Sequence, residues 1–108
     1  MKIKNLIVRR NFEMFTHTFG TESFKITRYE NTCKISFTVV WNDETEKDFC
    51  TDEYGKGLWV YVPGYNAKWT QIKGTCDVNF CCKTRSGIYK KIRRYCIEHE
   101  DFLKEDRC

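Results

Sequence analysis

The hydrophobic period of this chain changes once, near residue 83, and that change constrains the fold more than any other feature. Apolar and polar residues alternate before it, most clearly over 33–41, which is the pattern of a strand with one buried face. The residues that share this face are Cys33, Ile35, Phe37, Val39 and Trp41. Apolar residues after it recur at steps of three and four, which predicts an amphipathic helix. Strands followed by a helix indicate an α+β fold.

Several segments before residue 83 have strand character, and about five or six of them are expected to pair in a mostly antiparallel sheet. The segments are 12–19, 24–29, 33–41, 46–51, 58–62, 68–73 and 75–82. Turns are predicted at 20–23 and at Glu30-Asn31, because glycine, serine and asparagine favour chain reversal. Residues 2–10 fit either a strand or a short helix.

The predicted C-terminal helix spans about five turns. Ser86 is the expected N-cap, with Gly87 just inside the helix. The helix is expected to pack on one face of the sheet through a stripe of residues. The stripe comprises Ile88, Ile92, Cys96, His99 and Leu103. The length of 108 residues fits one domain, so 1–108 is predicted to be a single α+β domain.

Composition and cysteine spacing favour a reduced, cytoplasmic protein. The longest apolar run, 58–62, is far too short for a membrane span, and the apolar patch at 6–8 is too short for a secretory signal core. An odd number of cysteines at irregular spacing argues against a disulfide framework. The seven cysteines are Cys33, Cys50, Cys76, Cys81, Cys82, Cys96 and Cys108.

Charge is distributed unevenly along the chain. The formal net charge is +4, and residues 55–108 carry all of the excess, with eleven Lys and Arg against six Asp and Glu. Between residues 83 and 94 there are six cations and no acid, whereas residues 98–106 carry five acids and one lysine. This order opposes the helix dipole, which prefers acids at the N-terminus and bases at the C-terminus. Helix stability alone does not explain it.

The basic segment is interpreted as an anion-binding surface at the start of the helix. Free N–H groups and arginine side chains suit phosphates, and Tyr89 could stack on a base. The candidate nucleic-acid-binding residues are Lys83, Arg85, Tyr89, Lys90, Lys91, Arg93 and Arg94. The alternative is a solvated helix face on which i,i+4 neighbours such as Arg94 and Glu98 offset the repulsion.

Four aromatic residues flank the turns near 55–57 and 63–66 and form a candidate protein-binding surface. They are Tyr54, Tyr61, Tyr65 and Trp69. Tyrosine and tryptophan are favoured anchors at interfaces, and loops carry function more often than cores do. The alternative is that Tyr61 and Trp69 cap the edge of the core.

Metal binding and catalysis have less support in the sequence. Cys81, Cys82, Cys96 and His99 offer thiolate and imidazole ligands, but no C-x-x-C pair occurs, so a buried role between helix and sheet is favoured over a zinc site. Nothing in the sequence shows His17 converging with His99 on one phosphate, as an acid–base pair would require. We therefore expect no catalytic residues, no metal and no cofactor.

The sequence thus predicts a non-catalytic macromolecule-binding domain, whose partner is nucleic acid or an anionic protein surface and not a membrane. One alternative is a small protein-binding modulator or inhibitor of a host enzyme, of the kind common in phages. Another is a zinc-supported structural domain. A further alternative is a homo-oligomer formed through an exposed sheet face or edge strand.

Overall fold

The computed structural model describes residues 1–19 and 24–106, and among these the side chains of 1–10 and 32–106. The turn predicted at 20–23 lies outside the described residues, and so does the side chain of His17. Within this range the chain forms five strands and two helices. They are β1 (Lys2–Phe19), β2 (Phe24–Val40), β3 (Glu46–Cys50), β4 (Trp59–Val62), β5 (Lys68–Gln71), α1 (Arg85–Glu98) and α2 (Glu100–Lys104).

The five strands form one antiparallel sheet in the order β1-β2-β3-β4-β5. Each strand therefore lies beside its neighbour in sequence, which is the simplest way to connect an antiparallel sheet. The helices follow the last strand. The α+β fold with a mostly antiparallel sheet and a C-terminal helical region is confirmed.

β1 and β2 form a long hairpin whose register runs from Lys2↔Val40 to Phe19↔Phe24, with an irregularity between Lys4 and Ile7. Asn5 has φ 56° at that irregularity, a conformation that asparagine tolerates better than most residues. Residues 2–10 are thus a strand. The turn predicted at Glu30-Asn31 is wrong, because the backbone there continues to pair with β1 and its polar groups are satisfied without a reversal.

The alternation over 33–41 is confirmed, because Cys33, Ile35, Phe37, Val39 and Trp41 are all buried. The Phe37 ring stacks on Phe49 of β3 with centroids 5.6 Å apart. These side chains form one sheet face, here called the inner face. Both helices lie over it.

α1 packs on the inner face through Ile88, Ile92 and Cys96, and α2 adds Leu103, all fully buried. Phe80 lies between helix and sheet, with its ring 6.0 Å from Phe37 and 5.7 Å from Tyr95. The predicted helical stripe is confirmed at these four positions and wrong at His99, which is exposed.

The helix start differs from the prediction. Thr84 is the N-cap instead of Ser86, and its hydroxyl accepts a hydrogen bond from the Gly87 N–H at 3.0 Å. A capping side chain reaches the third residue of the helix, and Gly87 is third from Thr84. Ser86 lies inside the first turn. Neither α1 nor α2, the two helices in the described part of the chain, is long and apolar enough to cross a membrane.

The strand predicted over 75–82 is also wrong. One isolated bridge, Lys56↔Asn79, takes its place. The Thr75 hydroxyl accepts from the Leu58 N–H at 3.1 Å and donates to the Ile72 carbonyl at 2.7 Å. Side chains that bond the local backbone offer it an alternative to a sheet ladder, so the alternation here does not produce a strand.

Candidate nucleic-acid interface

The side of α1 that faces away from the sheet is strongly basic. Its buried residues lie on one stripe at steps of four, so the residues between them point outward. Lys90, Lys91, Arg93 and Arg94 line a shallow depression of about 490 Å³ together with Ile97. This surface, here called the basic face, brings together four of the seven residues predicted to bind nucleic acid.

The other three, Lys83, Arg85 and Tyr89, do not line this depression. Arg85 donates from Nη2 to the Leu6 carbonyl at 2.6 Å, and with Tyr89 it lines a separate hollow against the start of β1. Lys83 is exposed in the turn before the helix. Tyr89 is 39% exposed but is not among the residues that line the basic face. Tyr89 lies one helical turn before Arg93, so it is next to the basic face without lining the depression.

The charges of the basic face are not neutralised within the described part of the chain. No described carboxylate lies within 4.0 Å of Lys90, Arg93 or Arg94. The Lys91 ammonium group donates to the Cys81 carbonyl at 2.9 Å, which orients it but leaves its charge in place. Arg94 and Glu98 make no ion pair, so the offset expected between these i,i+4 neighbours is not found.

The reversed order of charges covers a shorter segment than the sequence indicated. The helix is interrupted at His99, which has φ −124° and ψ 31°. Glu100 and Asp101 therefore lie in the first turn of α2, and Lys104 lies in its last turn, where the dipole favours each of them. The unfavourable order applies to α1 alone, whose first turn holds no acid and whose last turn holds no base.

A groove of about 660 Å³ runs beside the basic face, between α1 and residues 73–80. Lys91 and Arg94 line both surfaces, so the two are continuous. The His99 ring lies over Tyr95 with centroids 4.2 Å apart and an angle of 23° between the rings. The other groove residues are Lys73, Gly74, Asp77, Val78, Asn79, Phe80, Glu98 and Phe102.

Sequence reasoning missed this groove because it assigned His99 to the core. The signal that could have found it is the run of polar residues after residue 97, where a helix break would turn the imidazole outward. Aromatic rings, cations and two carboxylates line the groove together. Such a mixture can bind a planar ring that carries hydrogen-bonding groups.

Cys82 lies at the start of α1, and the environment of its thiol is unusual. A backbone hydrogen bond from Thr84 lowers the pKa of this thiol, and a second from Lys83 and the charges of Lys91 and Arg10 act in the same direction. A Cβ added at Gly87 would collide with the Cys82 sulfur, so glycine permits this close approach. No sequence motif marks this cysteine.

The residues weighed as zinc ligands are not arranged as a ligand set. The described residues contain no group of three or more His, Cys, Asp or Glu side chains placed to hold a metal ion. Cys96 is buried between α1 and the sheet, and burial raises the pKa of its thiol to about 12. The zinc alternative therefore has no ligand set in this part of the chain.

The four predicted protein-binding aromatics are brought together only in part. Tyr61 of β4 and Trp69 of β5 are directly paired, with ring centroids 5.5 Å apart, and both are exposed. Tyr65 is fully exposed in the turn between these strands. Tyr54 is exposed in the loop between β3 and β4 and belongs to a different connection.

Comparison of the chain with protein-family models, curated proteins and solved structures gave no match.

Proposed function

We propose that this chain is a non-catalytic nucleic-acid-binding domain that contacts the phosphate backbone through the basic face of α1. The observation that carries the proposal is a set of four cations on one outward surface that have no carboxylate partner among the described residues, namely Lys90, Lys91, Arg93 and Arg94. Unpaired, clustered cations are the electrostatic feature that sequence-independent nucleic-acid binding requires.

The surroundings of the basic face support the same function. The groove beside it offers Tyr95 and His99 as a stacked pair, and unpaired bases stack on such rings. Lys83 and Arg85 extend the positive charge toward the start of the helix, with Tyr89 beside them. We place the protein in the cytoplasm, a reducing compartment in which its described cysteines stay as free thiols.

The test is a salt titration of binding to single-stranded and duplex oligonucleotides. Four phosphate contacts predict a slope of log K against log salt of roughly −3, which weakens binding about 60-fold between 50 and 200 mM salt. Replacing Arg93 and Arg94 by glutamate should reduce the affinity at least about tenfold and lower the slope by about 2. Binding that does not occur even at low salt would contradict the proposal.

A matched control variant distinguishes the effect of the basic face from the effect of the net charge. The double variant Lys56→Glu, Lys68→Glu changes two exposed cations away from α1. Both double variants exchange two positive for two negative charges and so take the formal net charge from +4 to zero. Equal losses in the two variants would mean that net charge governs the affinity and not the basic face. Thermal melts of both variants check that they fold.

A second candidate is a small protein-binding modulator, including an inhibitor of a host enzyme. The observation that favours it is the exposed Tyr61–Trp69 pair. Capture of a partner from a lysate that survives nuclease treatment, and that Trp69→Ala abolishes, would support it. Capture that nuclease removes supports nucleic-acid binding instead.

A further inference from the structure

The sheet face opposite the helices, here called the outer face, has an apolar centre. The register places Ile7, Ser36, Cys50 and Trp59 in one row across β1 to β4. Ile7 is 48% exposed and Trp69, on β5, is 46% exposed. Exposed apolar side chains gathered on one sheet face mark an interaction surface more often than single ones do.

These side chains border a groove of about 640 Å³. Its lining residues are Ile7, Arg9, Lys34, Ser36, Cys50, Thr51, Asp52, Glu53, Trp59 and Trp69. Within the groove the cations lie on β1 and β2, and the acids follow β3. The groove therefore has one positive and one negative side.

This separation of charge extends over the part of the outer face whose side chains the structure describes. Its cations are on β1 and β2 and comprise Lys2, Lys4, Arg9 and Lys34. Its acids are on β3 and the loop after it and comprise Glu46, Asp48, Asp52 and Glu53. Lys4 and Glu46 are paired at 2.7 Å, whereas Arg9, Lys34 and Glu53 make no ion pair with any described residue.

A face with a positive half and a negative half is complementary to itself. A two-fold axis parallel to the strands, between β2 and β3, places β2 of one copy over β3 of the other and β1 over β4. Ile7 then meets Trp59 of the second copy, and Lys34 meets Asp52 and Glu53. A self-complementary patch of this kind is what an isologous dimer interface requires.

We propose that the outer face binds a second copy of this chain in this two-fold arrangement. Nucleic acid is disfavoured there, because the described part of this face carries four acids, which repel phosphate, beside its four cations. None of the described residues that line the basic face of α1 is an acid. The proposal does not depend on nucleic-acid binding, since the two surfaces lie on opposite sides of the sheet.

The size of the outer face determines how tightly the proposed dimer should associate. The part shared by all five strands is about five residues long, and at a strand spacing of about 4.8 Å it covers roughly 400 Å² of projected sheet per copy. This is below the roughly 800 Å² per partner of a standard specific interface, so the dimer should be weak, with a dissociation constant in the micromolar range or above. Oligomeric state should therefore depend on concentration.

The test is sedimentation equilibrium from about 1 to 200 µM for four proteins, over the range where a weak interface dissociates. They are the wild type, Lys34→Glu, Glu53→Lys and the double variant Lys34→Glu, Glu53→Lys. Each single change opposes like charges across the two-fold axis and should weaken dimerisation at least about tenfold, because like charges at an interface repel. The double variant restores opposite charges and should return close to the wild-type dissociation constant.

Ile7→Glu tests the apolar centre and should also give monomer, whereas Lys56→Glu, outside the face, should leave the dimer unchanged. If Ile7→Glu fails to fold, the exposed Lys34 and Glu53 variants still decide the question. A wild type that is monomeric up to about 200 µM would overturn the proposal, since even a weak interface associates there. Single variants that dimerise like the wild type would overturn it too, and so would a double variant that does not recover.

Discussion

At the scale of single residues, the cysteine thiol has opposite properties at two places, one inside α1 and one just before it. Cys96 is buried among apolar side chains, where burial raises the pKa of its thiol to about 12. Cys82 lies against the first turn, where the Thr84 backbone N–H, foremost among several contacts, lowers the pKa of its thiol. N–H groups at a helix start stabilise a thiolate, and apolar surroundings destabilise it.

We therefore expect Cys82 to react with iodoacetamide at neutral pH faster than Cys76, although Cys76 is exposed and Cys82 is half-buried. A lowered pKa gives a larger thiolate fraction at a given pH, and the thiolate is the nucleophile. Time-resolved alkylation followed by peptide mass spectrometry measures both rates, with Cys82→Ser identifying the peptide. Faster alkylation of Cys76 at pH 7 would show that exposure and not the helix start governs reactivity.

Several residue positions were predictable from the sequence and others were not. The burial of Ile88, Ile92 and Cys96 follows from the helical period alone. Residues spaced four apart lie on one side of a helix, so they face the sheet together. The N-cap was predicted at Ser86 and is Thr84, because both hydroxyls can cap and the choice depends on where the preceding turn ends. His99 was misplaced because a break in the helix does not alter the hydrophobic spacing.

At the scale of elements, α2 is held to the turn between β2 and β3 by polar contacts. The Lys104 ammonium group donates to the Asp43 carboxylate at 2.6 Å and lies 5.9 Å from the centre of the Trp41 ring. Lys47 of β3 donates to the carbonyls of Leu103 at 3.3 Å and Glu105 at 2.8 Å. The last carbonyls of the helical region are thus capped from the sheet.

The Asp43–Lys104 contact predicts a pH-dependent stability. The hydrogen bond from Lys104 lowers the pKa of the Asp43 carboxyl from 3.8 to about 2, so its contribution is present above pH 4 and is lost as pH falls through 2. The same contact raises the pKa of Lys104, so the contribution is also lost at strongly alkaline pH. Asp43→Asn should therefore lower Tm slightly at pH 7 and not at pH 2.

Thermal melts of the wild type and Asp43→Asn between pH 2 and pH 8 measure this effect. Glu44→Gln, in the same exposed turn, removes one negative charge without removing the contact and serves as the control. A Tm difference for Asp43→Asn that stays constant down to pH 2 would contradict the assignment. An equal change of Tm in Glu44→Gln would mean that the loss of a negative charge, and not the loss of the Lys104 contact, causes the effect.

The sequence predicted correctly those elements in which the backbone makes the hydrogen bonds that the hydrophobic pattern implies. The strand over 33–41 is one of them. Residues 75–82 show the same alternation, but the Thr75 hydroxyl and the Asn79 amide oxygen bond nearby backbone N–H groups instead. A pattern of apolar residues does not reveal which local side chains compete for the backbone.

At the scale of the whole molecule, the sheet separates two surfaces of different character. Among the described residues, the helix side carries a basic face whose cations make no ion pair, and the outer face carries balanced charges around an apolar centre. The basic segment was visible in the sequence because its cations are consecutive. The charge separation of the outer face was not, because it combines residues from β1, β2 and β3 that only the register brings together.

The measurement that tests nucleic-acid binding most directly is an NMR titration of the labelled protein with a single-stranded oligonucleotide of about 12 residues at low salt. We expect amide shift changes that extend to His99 along the groove and are largest at Lys90, Lys91, Arg93 and Arg94. These changes should disappear in high salt, because counterion release drives the binding. Shift changes confined to the outer face, or none at low salt, would contradict it.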